Sequence, residues 1–225
     1  MPVLCGFTAL VGLAVLGILF FHRSRPIQQA SADAQLDHSS ARPVNPNYIW
    51  IGWIIMFTAM FVQRPLHTFF PSLGAQSGIS AFQAGIPLAI NMALQGTAGF
   101  GLFRLKNLLY RKTSLWIFQG SAAVLFFIIW LWPSVTVCMA GISILGIYTG
   151  FAYYAGVFYA SNSGRSSFNI GVNECLVGLG SFAGLFAVEG WIKYSGDLNA
   201  MYLIGGIALV VSTLLQIWIA GRRKL

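Results

Sequence analysis

Long apolar runs separated by short polar segments dominate the chain. Seven of these runs are close to the ~20 residues that a helix needs to cross a bilayer. They lie roughly at residues 3–21, 49–70, 82–103, 114–132, 135–159, 168–192 and 201–220. The pattern therefore predicts an all-α polytopic membrane protein with seven transmembrane helices.

One polar segment, residues 22–48, is much longer than the others. It carries three prolines and has no apolar periodicity, which is typical of a linker. It separates a first transmembrane helix, residues 1–21, from a block of six helices, residues 49–225. The connections within that block are short, so its helices are predicted to pack as antiparallel neighbours in one bundle.

The composition agrees with this class and leaves little of the chain for a soluble catalytic domain. Hydrophobic residues make up 57% and charged residues 8% of the sequence, whereas a soluble domain carries about 25% charged residues. The chain has no HExxH motif, no Ser/His/Asp constellation and only five acidic residues. We therefore expect that the protein is not an enzyme. The three cysteines lie in apolar runs without metal-ligand spacing, and we expect neither a metal nor a cofactor.

The net charge of +8 is best explained by membrane topology. With the N-terminus outside, 11 of the 13 basic residues fall in cytoplasmic segments or at the C-terminus, as the positive-inside rule requires. They are Arg23, Arg25, Arg42, Arg104, Lys106, Arg111, Lys112, Arg165, Arg222, Arg223 and Lys224. Residues 22–48 are then cytoplasmic, and nucleic acid is not expected as a partner. The expected location is a bacterial inner membrane, with an organellar inner membrane as the alternative.

The six-helix block contains a faint internal repeat. Its two triplets of helices are residues 49–132 and 135–220, and their middle members both begin with glycine and are rich in small residues. These members read GIPLAINMALQGTAGF from residue 85 and GVNECLVGLGSFAGLF from residue 171. Because three is an odd number, the second triplet runs in the opposite sense across the membrane. Inverted repeats of this kind are characteristic of secondary transporters.

Three stretches carry a resemblance to a known family: FVQRPLHTFFPSLGAQSGISAFQAGI (61–86), GFAYYAGVFYASNSGR (150–165) and SGRSSFNIGVNECLVGLGSFAGLFAVEG (163–190). They resemble the C-terminal half of a major facilitator superfamily (MFS) transporter. The resemblance implies that residues 49–225 form an MFS-like six-helix bundle with an inverted 3+3 repeat. It also implies that residues 22–48 match the family's central cytoplasmic loop, and residues 1–21 the last helix of its N-terminal half. The segment GLFRLKNLLYRK (101–112) departs from the family pattern because it lacks an acidic residue.

Two ionisable residues deep in the predicted spans are candidates for a solute or ion path. Arg64 and Glu174 would each cost about 2.5–3.5 kcal/mol at a helix centre, so each is expected to be paired or to face a cavity. Glu174 shares a helix face with Gly171, Gly178 and Ser181. We expect this small, polar stripe to point into the bundle, with a basic or amide partner near Glu174. The alternative roles are a structural latch for Glu174 and a snorkelling side chain for Arg64.

Uncharged polar residues complete the candidate path. Asn91 and Gln95 are four residues apart and therefore lie on one face of a helix, where they serve either as interhelical hydrogen-bonding groups or as solute contacts. Tyr154 lies in a tyrosine- and glycine-rich helix and is either a pocket-lining or a packing residue. His67 is interpreted as an interfacial hydrogen-bonding residue rather than a metal ligand.

Two functions of different classes follow from these features. The first is a half-size transporter of a small solute, which works as a homodimer or together with a separate N-terminal half. The second is a non-transporting accessory subunit, in which a truncated MFS-like fold is a scaffold in a larger membrane complex. Both require the lipid bilayer and another membrane protein chain as partners.

Overall fold

Six α-helices form the part of the chain that the computed structural model describes, residues 48–163 and 165–222. We number them α1 to α6, and a single 3₁₀ turn, Lys106–Leu108, follows α2. The described residues contain no strand. The helices are α1 Tyr48–Gln76, α2 Ala81–Arg104, α3 Lys112–Leu131, α4 Val135–Asn162, α5 Ser166–Ser195 and α6 Ala200–Arg222.

Five of these helices, α1 and α3 to α6, are long and apolar enough to cross a membrane. An integral membrane protein is therefore supported by length and composition. Helix α2 has 24 residues, which span about 36 Å, but amide and glycine residues reduce its hydropathy. The predicted first span, residues 3–21, and the predicted linker, residues 22–48, lie outside the described residues except for Tyr48, which begins α1.

Helix α1 is longer than its predicted span, 49–70, because the signals that end it come later in the chain. Gly78 adopts a left-handed conformation, φ 76°. The Ile79 N–H donates to the Gly74 carbonyl at 2.9 Å, and the Gly78 N–H donates to Ala75 at 3.2 Å. This pair of bonds is a Schellman cap. Pro71 therefore lies inside the helix rather than ending it.

Helix α2 begins immediately after this turn with a capping box. The Ser80 hydroxyl accepts from the Gln83 N–H at 3.3 Å, and the Gln83 side chain accepts from the Ser80 N–H at 3.0 Å. Both bonds satisfy N–H groups that would otherwise lack a partner at the start of a helix. The tight connection places α2 antiparallel to α1.

Helices α1 and α4 form the centre of the bundle. Each packs against four others: α1 against α2, α4, α5 and α6, and α4 against α1, α2, α3 and α5. The outer helices α3 and α6 pack against each other. Seven of the twelve largest fully buried side chains of the described residues lie on α1 and α4, and they include Ile55, Met56, Phe70, Phe151 and Tyr159.

Two glycines let α4 lie directly against the backbone of α2. A Cβ atom added at Gly146 would lie 2.8 Å from the carbonyl carbon of Asn91. At Gly150 the same atom would lie 2.9 Å from the carbonyl carbon of Gln95. Such close backbone approach is how small residues drive helix association in lipid. It also fixes Asn91 and Gln95 at the middle of the bundle.

A buried chain of polar side chains connects α1, α3 and α6. The Thr58 hydroxyl lies 2.8 Å from that of Ser212, and the Gln216 amide lies 3.2 Å from the Ser212 hydroxyl. Gln216 also donates to the Gln119 side-chain carbonyl at 2.9 Å, and Gln119 donates to the Leu209 backbone carbonyl at 3.2 Å. Because both glutamines are fully buried, these bonds act as interhelical links.

Replacing Gln119 by leucine is expected to destabilise the bundle by about 1–3 kcal/mol, because the buried Gln216 amide loses one of its two acceptors and keeps only the Ser212 hydroxyl. Gln119→Leu/Gln216→Leu together should cost less than the sum of the two single changes, because the double variant leaves no orphaned amide. The coupling is measured from the free energies of unfolding of the parent, the two single variants and the double variant in mixed micelles. Strict additivity would show that the two amides do not depend on each other.

Candidate functional site

The candidate site begins with three polar residues near the middle of α1: Gln63, Arg64 and His67. Arg64 lies two residues beyond the midpoint of this 29-residue helix. In a helix that spans the bilayer, this position is near the midplane, where a charged side chain is most costly. The Gln63 and His67 side chains point to one neighbour, α2, and Arg64 points to another, α5.

Gln63 and His67 form two side-chain pairs with α2. Gln63 donates to the side-chain oxygen of Gln95 at 2.9 Å, and His67 Nε2 lies 3.2 Å from Asn91 Oδ1. Asn91 Nδ2 donates to the Ile142 carbonyl at 2.6 Å, so Asn91 Oδ1 is an acceptor and the proton belongs on His67 Nε2. The four-residue spacing on both antiparallel helices brings the two pairs into register.

These bonds give Asn91 and Gln95 a structural role, which was one of the two roles that the sequence left open. Asn91 is fully buried, and both ends of its amide are used, toward α1 and α4. Gln95 is half-buried and accepts one bond. Both residues therefore link helices in this arrangement, as amides in lipid usually do. Whether they also contact a solute stays a prediction.

Arg64 turns away from this pair of links and lies on the exposed surface of the bundle. Its Nε donates to the Ser181 hydroxyl at 3.3 Å, and that hydroxyl donates to the Val177 carbonyl at 2.8 Å. Ser181 is next to the midpoint of α5, so this contact also lies at the middle of the bundle. Among the described residues, Nε is the only Arg64 nitrogen with a hydrogen-bond partner.

The position of Ser181 beside Arg64 is set by two glycines on α5. A Cβ at Gly180 would lie 3.2 Å from the carbonyl carbon of Phe57, and one at Gly184 would lie 2.8 Å from that of Phe61. The two pairs advance together along both helices, so α1 and α5 run in the same direction. Seven residues separate Glu174 from Ser181, which places Glu174 about 10 Å nearer the Tyr48 end of the bundle.

Glu174 does not point into this chain's bundle, and the expectation that its stripe packs against a neighbouring helix of the same chain is wrong. Glu174, Gly171 and Gly178 are all exposed, and a Cβ added at either glycine would meet nothing within 4 Å. Within the described chain, no hydrogen bond or ion pair reaches Glu174, so the expected basic or amide partner is absent there. The reason is that α1 meets a different stripe of α5, the one that contains Gly180 and Gly184.

Helix α5 buries two polar side chains, Asn169 and Asn173. Asn173 lies within the helix packing, and the sequence reasoning missed it. It is 1% exposed, and neither its Oδ1 nor its Nδ2 has a hydrogen-bond partner among the described residues. Its oxygen would lie 3.1 Å from a Cβ built at Gly156, so it sits in the contact between α4 and α5. The signal for it was its spacing of seven residues from Gly180, which puts the two residues on one face.

Tyr154 is partly buried and packs against the hydrophobic core. Its neighbour Tyr153 is 40% exposed and lies within electrostatic range of the Glu174 carboxylate. The exposed polar side chains of this region are therefore Arg64 on α1, Tyr153 on α4 and Glu174 on α5. We call these residues, together with Gly171 and Gly178, the polar face.

The polar face offers a cation near the middle of a helix long enough to cross a bilayer, and a carboxylate about 10 Å away along the helices. Nowhere in the described ranges do three His, Cys, Asp or Glu side chains come close enough to hold a metal ion. What the face can do with its own groups is bind a polar solute, an ion or a polar surface of another chain. The chain matches no family model, no curated protein and no solved structure.

Proposed function

We propose that this chain is one half of a membrane transporter for a small solute, with the polar face lining the solute path. The observation that carries the proposal is Arg64, an exposed cation next to the midpoint of a helix that is long enough to span a bilayer. A lipid-facing arginine at this depth costs about 2.5–3.5 kcal/mol on insertion scales. Arg64 is therefore expected to face water, a solute or another protein rather than lipid.

The pattern of helix contacts supports an inverted repeat of three and three helices. Exchanging α1 with α4, α2 with α5 and α3 with α6 converts each helix contact, except the small one between α5 and α6, into a contact that is also present. The α1–α5 contact becomes α4–α2, and the α1–α6 contact becomes α4–α3. Repeats related in this way place a binding site near the midplane in secondary transporters, which is the depth of Arg64. This is the arrangement expected of an MFS-like half.

A half of this kind needs a second half to enclose the polar face. We propose either a second copy of this chain or a separately encoded chain that supplies the N-terminal half. Rocking of the two halves about the site would then expose the polar face to each side of the membrane in turn. The proposed location is an inner membrane, bacterial or organellar, with residues 22–48 on the cytoplasmic side.

The second candidate is the accessory subunit, and one observation favours it. Gly171 and Gly178 leave open space on an exposed face of α5, and small residues at such a face allow a helix of another protein to approach closely. In that case the polar face is dry and covered in the assembled complex. The two candidates therefore differ in whether water reaches this face.

Cysteine accessibility at Gly178 distinguishes the two. Gly178→Cys is placed in a chain whose three native cysteines are serines; the added side chain meets no neighbouring atom of this chain. Only an ionised thiol reacts with a charged methanethiosulfonate reagent, so labelling requires water. We expect labelling of Gly178→Cys in intact membranes. The matched control is Val211→Cys, at the midpoint of α6 and 58% exposed on this chain, which should remain unlabelled because it faces lipid.

Equal lack of labelling at both positions would contradict a water-filled path and favour the accessory subunit. Equal labelling at both would mean that neither face is embedded in lipid. Labelling of Gly178→Cys alone, from the cytoplasmic or the outer side, is the result that supports the transporter.

A further inference from the structure

The guanidinium of Arg64 has unused hydrogen-bonding capacity at the polar face. Its Nε is held by the Ser181 hydroxyl at 3.3 Å. In the part of the chain that the structure describes, the two terminal nitrogens have no partner, which leaves four N–H groups. A guanidinium held through Nε presents its terminal donors as a planar fork that matches two oxygens of a carboxylate or phosphate.

No carboxylate of the described chain neutralises Arg64. Three of the five acidic residues are described: Glu174, Glu189 and Asp197. Glu189 pairs with Lys193 at 2.8 Å near the far end of α5. The Asp197 side chain accepts from the Asn199 N–H at 2.8 Å in the loop after α5. Glu174 lies about 10 Å from the level of Ser181 along the helix, and in the described chain no ion pair joins it to Arg64.

Among the described residues of the polar face, the neighbouring groups leave Arg64 as the cation that can donate to an anion at this depth. The His67 Nε2–H is already directed to Asn91, and the hydroxyl hydrogen of Ser181 is directed to Val177. Ser181 therefore acts as a positioning residue that aims the guanidinium outward. The open space at Gly178, one turn away on the same helix, leaves room for a small molecule.

We propose that the solute carries an oxyanion group, a carboxylate, phosphate or sulfate, that binds the terminal nitrogens of Arg64. This inference rests on the proposed transport function only in treating the bound molecule as a transported solute. The binding of an anion to Arg64 does not itself require transport. A bound oxyanion compensates the positive charge near mid-bilayer and occupies the guanidinium donors in a two-oxygen geometry. The solute class that follows is small organic acids or phosphate- and sulfate-bearing molecules, not neutral or cationic solutes.

The test is thermal unfolding of the purified membrane assembly in nanodiscs, with chloride replaced at constant ionic strength by acetate, succinate, phosphate or sulfate. Because a ligand that binds the folded state raises its stability by mass action, we expect a saturable rise in Tm with at least one of these anions. Arg64→Gln should weaken the apparent affinity at least tenfold. Arg64→Lys should retain part of it, because the charge remains but the fork is lost. Arg104→Gln, at the exposed end of α2, is the matched control and should bind as the parent does.

Three results would overturn the anion site. These are no saturable effect with any of the four anions, the same affinity in Arg64→Gln as in the parent, or dissociation of the assembly in Arg64→Gln without any anion dependence. The last result would mean that a carboxylate of a partner chain occupies Arg64. Anion binding with an unlabelled Gly178→Cys would keep the site and reject transport. A labelled Gly178→Cys without anion binding would keep a water-filled path and reject the oxyanion.

Discussion

Alanine at Gly184 is expected to destabilise the bundle, whereas alanine at Gly190 on the same helix should be neutral or stabilising. A Cβ at Gly184 would lie within contact distance of three backbone atoms of Phe61, including 2.8 Å from its carbonyl carbon. A Cβ at Gly190 would meet nothing within 4 Å. The same chemical change therefore has opposite expected signs at two sites six residues apart.

The magnitude at Gly184 follows from what would have to move. The clashing atoms belong to the backbone of α1, so no side chain can rotate to make room, and the two helices must separate. Overpacking of this kind costs about 1–3 kcal/mol, and Gly180, one turn earlier, would be pulled from its own contact with Phe57. We expect Gly184→Ala at the upper end of that range or above it.

The control position shows the opposite tendency because only helix propensity acts there. Alanine is favoured over glycine in a helix interior by about 0.8–1.0 kcal/mol. Gly190 lies within α5, five residues before its end. Thermal unfolding of the two variants in the same detergent measures both signs. Equal stability of Gly184→Ala and Gly190→Ala would contradict the close α1–α5 contact, and with it the position of Ser181 beside Arg64.

The helical class and the elements of the bundle could be predicted from the sequence because they depend on composition and run length. The end of α1 could not be placed, because the apolar run that predicts the helix stops near residue 70, before Pro71, whereas the helix extends to Gln76. The stop signal is the Schellman cap at Gly78, a glycine in the left-handed conformation two residues beyond the last helical residue. The apolar pattern predicts that a helix exists, whereas the capping residues determine where it ends.

The error at Glu174 has a different physical cause. Helix α5 carries two stripes of small residues, one with Gly180 and Gly184 and one with Gly171 and Gly178. Either stripe can accept a neighbouring helix, so glycine spacing alone does not tell which one packs inside the chain. The stripe with the carboxylate is the one expected on the inner side from its small and polar residues. The bundle buries the other stripe, which carries Asn173 instead.

The need of the polar residues at the middle of the bundle for partners could be predicted, but the partners themselves could not. Arg64, Asn91 and Gln95 were chosen because polar residues in apolar helices need partners, and all three have a hydrogen-bond partner on another helix. The identities of those partners, Ser181, His67 and Gln63, depend on the rotation of each helix about its axis. That rotation is set by close contacts such as Gly150 against Gln95, which are tertiary and are not visible in one helix's pattern.

Glu174→Gln is expected to leave the assembly intact and to lower solute uptake at least tenfold. The change keeps the size and hydrogen-bonding shape of the side chain and removes only its charge. Because Glu174 is exposed on the polar face and has no hydrogen bond or ion pair within the described chain, the fold of this chain does not depend on that charge. A carboxylate in a membrane-spanning segment that no structural contact requires is expected to serve a proton, a cation or the solute.

The measurement is uptake into proteoliposomes of whichever of acetate, succinate, phosphate or sulfate binds most tightly, with and without a pH gradient. If Glu174 carries a coupled proton, Glu174→Gln should also abolish the dependence of uptake on the gradient. Glu189→Gln is the matched control, because Glu189 pairs with Lys193 at 2.8 Å near the end of the same helix, and its uptake should equal that of the parent. The size of each purified assembly is determined in parallel.

The three possible outcomes separate the roles of the carboxylate. Lost uptake with a normal assembly supports a place for Glu174 in the transport path. Unchanged uptake and unchanged gradient dependence would reject that role. Loss of the assembly itself would identify Glu174 as a contact to the partner chain, because no group of the described chain holds it. Glu174→Asp keeps the negative charge, so it should restore the assembly if the partner contact requires that charge. Restoration by aspartate would identify an interface and reject the transport role.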